Sequence, residues 1–333
     1  MEEEMIVSLQ QKIALLTSLV LVAWAGRAEA AKDFTIQTHT ASENSFLVSS
    51  HLIESNGEIA IVDAQMFNDE VDKLVEKAKK TKGTVKTIFI THAHPDHFFG
   101  LQRLKAAFPE ARLVATAATV EGVAQAGPGM LKFYREGFMN GALAPNLPTE
   151  LPALEKLEGT TFKVGNAEFE VLTFPAAEVK DAHALWHKGT GTLVAGDLVY
   201  NNVHLWLADQ EPQGWIAALE QLQKLPVKKI HPGHGEPGAK DLLKKNLEYL
   251  TFFQKTRQSA KSGEELTKAV KGKFKKTRVP GIVDFAANKY FPQQPAGGAT
   301  DGGAKPEGAG KPEGAKPAGA GKPAGAGKPE GKK

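Results

Sequence analysis

Apolar positions along this chain recur with two periods, and the switches between them mark out its elements. "SFLVSS" (45–50) and "EIAIVDA" (58–64) are short β-rich runs joined by "ESNGE", whose Asn56-Gly57 pair is a hairpin signal, so they read as paired strands. In "NDEVDKLVEKAKKTKG" Val71, Leu74, Val75 and Ala78 fall at i, i+3, i+4 and i+7, with Gly83 beyond, which predicts an amphipathic helix. "TVKTIFI" (84–90) is almost wholly β-branched and aromatic, as a strand covered on both faces would be. "TFKVGNAEFEVLTF" predicts a hairpin about Gly165-Asn166, and "ALWHKGTGTLVAGD" predicts another. "EPQGWIAALEQLQKL" aligns Trp215, Leu219 and Leu222 on one helical face. From about Asp33 to Lys240 strands and helices interleave; from Asp241 to about Lys276 the pattern is helical. The expected architecture is an α/β layered domain with loops gathered along one edge.

Composition changes that picture at the ends. At 333 residues and 41% hydrophobic content the chain is long enough to bury a full core. Residues 301–333 carry seven lysines against four acids, which accounts for the whole net charge of +3 and leaves a neutral body. A neutral body argues against nucleic acid as a partner. The tail, 293–333, is built of Gly, Ala, Lys, Pro and Glu and cannot repay its ordering entropy; it reads as a disordered tether, with adhesion to an anionic surface as its candidate role. At the other end an apolar stretch from Ile13 to Ala25 precedes Ala28 and Ala30, small residues that suit a signal peptidase. Residues 1–30 are therefore expected to be a cleaved signal peptide, and the mature protein periplasmic or secreted. The stretch is shorter than the ~20 residues a membrane span needs, so no stable span is expected after cleavage. With no cysteine there is neither a disulfide nor a lipoprotein anchor.

The chemistry concentrates in "THAHPDHFFG" (91–100), where three of the ten histidines follow directly on the 84–90 strand. His92 and His94 lie two apart, so on extended backbone both side chains point the same way and can share one metal ion. Pro95 then breaks the strand and turns Asp96 and His97 toward a neighbouring position. This spacing suits two adjacent ions. Imidazole and carboxylate donors without thiolate suit zinc, with iron or manganese as alternatives.

The same segment resembles the His-x-His-x-Asp-His signature of the metallo-β-lactamase superfamily. Three further motifs follow the family's order: "IVDA" ending in Asp63, "VAGDLVY" with Asp197, and "IHPGHGEP" with His234. The resemblance covers about residues 34–240 and implies an αββα sandwich of two mixed β-sheets flanked by helices, with metals at the strand ends. It further implies that His92 and His94 bind a first ion, that Asp96, His97 and His234 bind a second, and that Asp197 bridges them, with Asp63 orienting a ligand histidine. The departure lies in "FPAAEVKDAHALW", where the family usually has a histidine after Pro-Gly. Glu178 is the expected replacement; His183 competes, with Asp181 between them.

On this resemblance the expected reaction is metal-assisted hydrolysis of a cyclic or activated acyl bond in a small molecule: a lactam, a lactone or a thioester. Asp96 is expected to orient the attacking water and share its proton, and Tyr200 to donate a hydrogen bond to the acyl oxygen, as in lactonase-like members. Alternatives are a metal- or ligand-binding envelope protein without turnover and a redox member such as a persulfide dioxygenase. His231 is expected to be a backbone-bonded turn residue and His204 either a cleft wall or structural. His39, His51 and His187 are expected at the surface or in packing. The stretch 119–148, rich in Met and aromatic residues, is either an apolar lid or core packing. Residues 31–240 are expected to form the catalytic domain and 241–292 a helical extension packed on it.

Overall fold

The computed structural model describes residues 33–209 and 211–292; the expected signal peptide and tail lie outside them. A six-stranded sheet has the order β1 (Thr35–Thr40), β2 (Ser49–Ser55), β3 (Glu58–Val62), β4 (Thr84–Ile90), β5 (Arg112–Ala115), β6 (Glu155–Lys156). A five-stranded sheet has β11 (Lys229–His234), β10 (Thr192–Tyr200), β9 (Asp181–His187), β8 (Ala167–Pro175), β7 (Thr161–Val164). Both are mixed: β3 to β6 pair in parallel and so do β10 and β11, while the remaining pairs are antiparallel.

Strand alternation sorts the side chains into layers. On β3, Ile59 and Ile61 pack outward with α1 (Asn68–Lys79) and α2 (Leu101–Ala107), whereas Ala60 and Val62 face the second sheet. There they meet Phe162, Phe169, Leu185 and Val194. On the far side β9 and β10 pack against α4 (Pro212–Lys224) and α5 (Asp241–Ser259) through Trp186, Leu193, Leu219, Leu243 and Leu250. The result is the four-layer αββα sandwich. Each large apolar side chain fully buried in these layers contributes about 1.5–3 kcal/mol.

Two departures from the sequence pattern bear on function. The first strand of the early hairpin begins at Ser49, not Ser45: Ser45 ends a short 3-10 turn, and Phe46 and Leu47 have φ near +58° and +57°. Val48 instead bridges His234, so this stretch is drawn from the strand to the loop cluster. The helical carboxyl-terminal region is also longer and more broken than the pattern predicts. After α5, Ser262 caps α6 (Gly263–Lys273) by accepting from the Glu265 N–H, and a further helix, α7, runs over Ile282–Tyr290. The linker before α7 is stitched to the loop after β10, where Arg278 N donates to Asn202 O and His204 N donates to Arg278 O. No helix among the described residues is long and apolar enough to cross a membrane.

Candidate metal centre

Parallel pairing places the carboxyl ends of β3, β4, β10 and β11 on one edge, and the chemistry gathers there. Asp63 follows β3, and Thr91 and His92 leave β4. His94 precedes a single helical turn (Pro95–Phe98) that carries Asp96 and His97. Asp197 sits on β10 at an irregular register against β11, and His234 ends β11. Gly233 makes this approach possible: a Cβ there would lie 1.9 Å from Asp197 Oδ1.

Two groups of donors result. His92, His94, Glu178 and Asp197 form one; Asp96, His97 and His234 form the other; within each, the ligand atoms lie within 4.8 Å of one another. Asp197 joins the groups: its Oδ1 is 3.1 Å from His97 Nε2, and its Oδ2 is 3.1 Å from His234 Nε2 and 3.7 Å from His92 Nε2. Glu178 Oε1 is 3.1 Å from His94 Nδ1, and Asp96 Oδ2 is 3.4 Å from His234 Nε2.

Each histidine is anchored through one ring nitrogen and presents the other. His92 Nδ1 bonds Thr91 Oγ1 at 2.9 Å, His97 Nδ1 bonds Asp63 Oδ2 at 2.9 Å, and His234 Nδ1 donates to Phe46 O at 2.8 Å. His94 is turned the other way, with Nε2 2.7 Å from Asp209 Oδ2 and Nδ1 toward Glu178. Asp63 also accepts from the Thr91 N–H and hydroxyl, so one buried carboxylate fixes the start of the loop and the His97 ring together.

Burial and proximity set the charges. Burial pushes the Glu178 carboxyl up to about 7. Burial also works against ionised Asp197, but His234, His97 and His92 outweigh it and hold that carboxyl well below the usual range. His92 is held well below the ordinary imidazole range by burial and then by His97. Burial opposes protonation of His94, yet Glu178 and Asp209 raise it well above that range; Asp197 does the same for His97, and raises His234. The cluster therefore demands positive charge at its centre. His92 Nε2, His97 Nε2, both Glu178 oxygens and Asp197 Oδ1 are buried without a hydrogen-bond partner, a costly arrangement that a divalent cation in their midst would satisfy. The residues present fit a metal.

Of the expected site residues, His92, His94, Asp96, His97, Glu178, Asp197 and His234 all converge. Tyr200 stacks on His234 at 4.5 Å between ring centroids, and its hydroxyl donates to Asp197 Oδ2 at 2.6 Å. Burial, then Asp197, pushes its pKa well above the usual phenol value, so it keeps its proton. His183 stays outside the cluster, held on β9 between the hydroxyls of Thr116 and Thr173 at 2.8 and 3.0 Å. Asp181 starts that strand opposite Pro175. His204 bonds the Tyr249 hydroxyl at 2.7 Å and does not line the cleft. His231 is a buried strand residue beside His51 and Thr38, not a turn residue, because β11 continues through it. Within 119–148, Met130 packs on the core, while Tyr134 and Phe138 line the cleft.

Asp209 escaped the sequence reading. It is a lone acid in "HLWLAD", with no spacing rule to flag it; its Oδ2 also accepts from the Trp206 indole at 2.8 Å, and Lys289 of α7 donates to its backbone carbonyl.

Comparison with known proteins agrees with this fold. A metallo-β-lactamase type 2 of Bacillus cereus is 26% identical over 215 residues, which are 61% of this chain and 75% of that protein. A β-lactamase domain protein from Burkholderia ambifaria has the same fold at a TM-score of 0.54 and 19% identity, over 78% of this chain and 84% of that one. A metallo-β-lactamase family protein from Thermus thermophilus also gives 0.54, at 18% identity, over 78% and 91%. The family model described as metallo-beta-lactamase superfamily matches residues 45–234, more than half of the chain and a span that closes on His234, and so the chain belongs to that superfamily.

Proposed function

We propose that the protein is a metal-dependent hydrolase that uses activated water to open a cyclic or activated acyl bond, a lactam, lactone or thioester, in a small-molecule substrate. Asp197 is the observation that supports this most: Oδ1 lies 3.1 Å from His97 and Oδ2 3.7 Å from His92, so one carboxylate reaches toward both donor groups. In this reading His92, His94 and Glu178 hold one ion, Asp96, His97 and His234 hold the other, and Asp197 lies between. Four imidazoles and three carboxylates suit zinc, and also iron or manganese. Such ions supply Lewis acidity, which polarises an acyl carbonyl and makes water a usable nucleophile near neutral pH.

The chain's own side chains do the rest. Asp96 lines the cleft, accepts a proton from the attacking water and passes it to the leaving group as the acyl bond breaks and the new C–O bond forms. Tyr200 lines the same cleft and keeps its proton, so once its bond to Asp197 gives way it can donate to the acyl oxygen as negative charge develops there. Phe46, Tyr134, Phe138 and Trp206 line the cleft beside them and limit competing water. The apolar stretch followed by Ala28 and Ala30 supports an exported, periplasmic or secreted enzyme.

The test is metal analysis of the purified protein, with hydrolysis assays on a chromogenic cephalosporin, acyl-homoserine and aliphatic lactones and thioesters after reconstitution with zinc, manganese or iron. Turnover of any supports the reading; no turnover with any metal replaces it with a metal-binding envelope protein. Glu178 supports a second reading: a carboxylate where the family usually has imidazole shifts the donor set toward iron, as a persulfide dioxygenase would use. Oxygen uptake with a persulfide would decide for it.

A further inference from the structure

The cleft above the donor cluster is walled by apolar side chains from four separate parts of the chain. Phe46 comes from the turn before β2, Tyr134 and Phe138 from the segment after α3 (Ala117–Lys132), Trp206 from the loop after β10, and Ile282 and Phe285 from α7. Among the described residues no lysine or arginine lines it. Two cations near these walls in sequence are committed elsewhere, and Lys132, beside Phe133, is exposed and does not line the cleft. Arg135 donates to the carbonyls of Ala144, Leu147 and Pro148, and Lys289 donates to the Asp209 carbonyl and lies over the Tyr290 ring. The polar groups at the floor are histidines and acids.

The mouth is apolar as well. The exposed large hydrophobic side chains among the described residues are Phe133 at 54%, Met139 at 62% and Phe285 at 42%. All three belong to the rim: Phe133 packs on Tyr134 and Phe138, Met139 follows Phe138, and Phe285 lies 5.3 Å from Trp206. Met139 holds left-handed backbone, φ 49°, which costs about 1–3 kcal/mol and is kept where the surroundings impose it, commonly at a binding site. Exposed apolar surface gathered around one opening marks a place where apolar matter is bound.

Resting on the hydrolytic reading above, we infer that the substrate is a neutral ester, lactone or thioester with an extended apolar acyl chain. The acyl carbonyl sits at the donor cluster, and the chain leaves between the Phe133–Met139 lip and Phe285 of the carboxyl-terminal helix. A carboxylate carried away from the scissile bond, such as penicillins and cephalosporins bear, finds no cation on these walls and is desolvated without a partner. Phe285 and Met139 are thus specificity residues, and α7 is part of the substrate site.

The test uses the metal-loaded full chain and 4-nitrophenyl esters from acetate to octanoate, with the mono-4-nitrophenyl ester of hexanedioic acid as the anionic partner of the hexanoate, and a cephalosporin. The expected kcat/KM rises about two- to fourfold per methylene, and the hexanedioate falls at least about tenfold below the hexanoate. Phe285→Ala and Met139→Ala flatten the rise with metal content unchanged, and Phe285→Lys brings the hexanedioate up to the hexanoate. Calorimetric binding of 2-octanone, which has no scissile bond, weakens at least about fivefold in Phe285→Ala on the same grounds. Turnover that ignores chain length, prefers the anionic ester or cephalosporin, or keeps its chain-length slope in Phe285→Ala overturns this inference while leaving the hydrolase standing. Absence of turnover on this panel and on the lactones and thioesters above overturns both.

Discussion

Glu178 Oε1 lies 3.1 Å from His94 Nδ1, inside the cluster, and neither oxygen of this fully buried carboxylate has a hydrogen-bond partner. An acid thus joins His92, His94 and Asp197 in one donor group, while the nearby His183 is held by two threonines on β9. Glu178→Ala is expected to lose at least one bound ion per chain. His183→Ala is expected to keep its metal and to lose about 1–3 kcal/mol of stability, because two hydroxyls lose their partner. Atomic absorption on dialysed samples, with thermal melts alongside, reads both; metal loss in His183→Ala alone would reverse the assignment.

Asp209 holds the outer nitrogen of His94 at 2.7 Å and so sets which nitrogen faces the cluster. Asp209→Asn removes the carboxylate that favours the Nε2–H tautomer. Its metal affinity, measured by chelator competition, is expected to fall about 10- to 100-fold. Equal affinity in wild type and variant would show that Asp209 merely sits nearby.

Gly233 admits Asp197 because it has no side chain; a Cβ would lie 1.9 Å from Asp197 Oδ1 and 2.7 Å from Gly196 C. Gly233→Ala is expected to cost about 1–3 kcal/mol and to displace Asp197, so bound metal falls with stability. A variant with full metal content and an unchanged melting temperature would contradict the packing described.

Burial lowers His51 and His204 to about 4, so both are buried neutral. Their folded values lie below the ~6.5 of an unfolded histidine, and the unfolded chain therefore takes up more protons in acid. The stability they contribute is complete above about pH 6.5 and is lost as pH falls toward 4, on the order of 3 kcal/mol for His51 and less for the more screened His204. Urea melts in chelator across that range should show a smaller acid loss in His204→Asn than in wild type. Parallel curves would refute the neutral, buried state of His204.

The parts legible in the sequence are those where one period or one spacing dominates. The strands read from the β-rich runs at β3 and β4, the Asn56-Gly57 turn and the i, i+3, i+4, i+7 face of α1 all appear in the fold, though β4 is covered on both faces only over Ile88–Ile90. The donors on the 91–97 loop were legible because a proline-broken strand end leaves few ways to arrange them. The displaced start of β2 was not, because His234, distant in sequence, recruits Phe46 and Val48. Asp209 was hidden for the same reason, its role depending on a ring 115 positions away. α7 did carry a signal, Ile282, Val283, Ala286 and Ala287 on one face after Pro280-Gly281, masked by the run of lysines before it.

Equilibrium titration of the chelator-stripped protein with zinc, read by mass spectrometry under native conditions, tests the paired-ion centre most directly. Wild type is expected to take up two ions per chain, and Asp197→Ala, which removes the one carboxylate common to both donor groups, to hold at most one. Wild type that binds none, or an Asp197→Ala variant that still binds two with unchanged affinity, would contradict it.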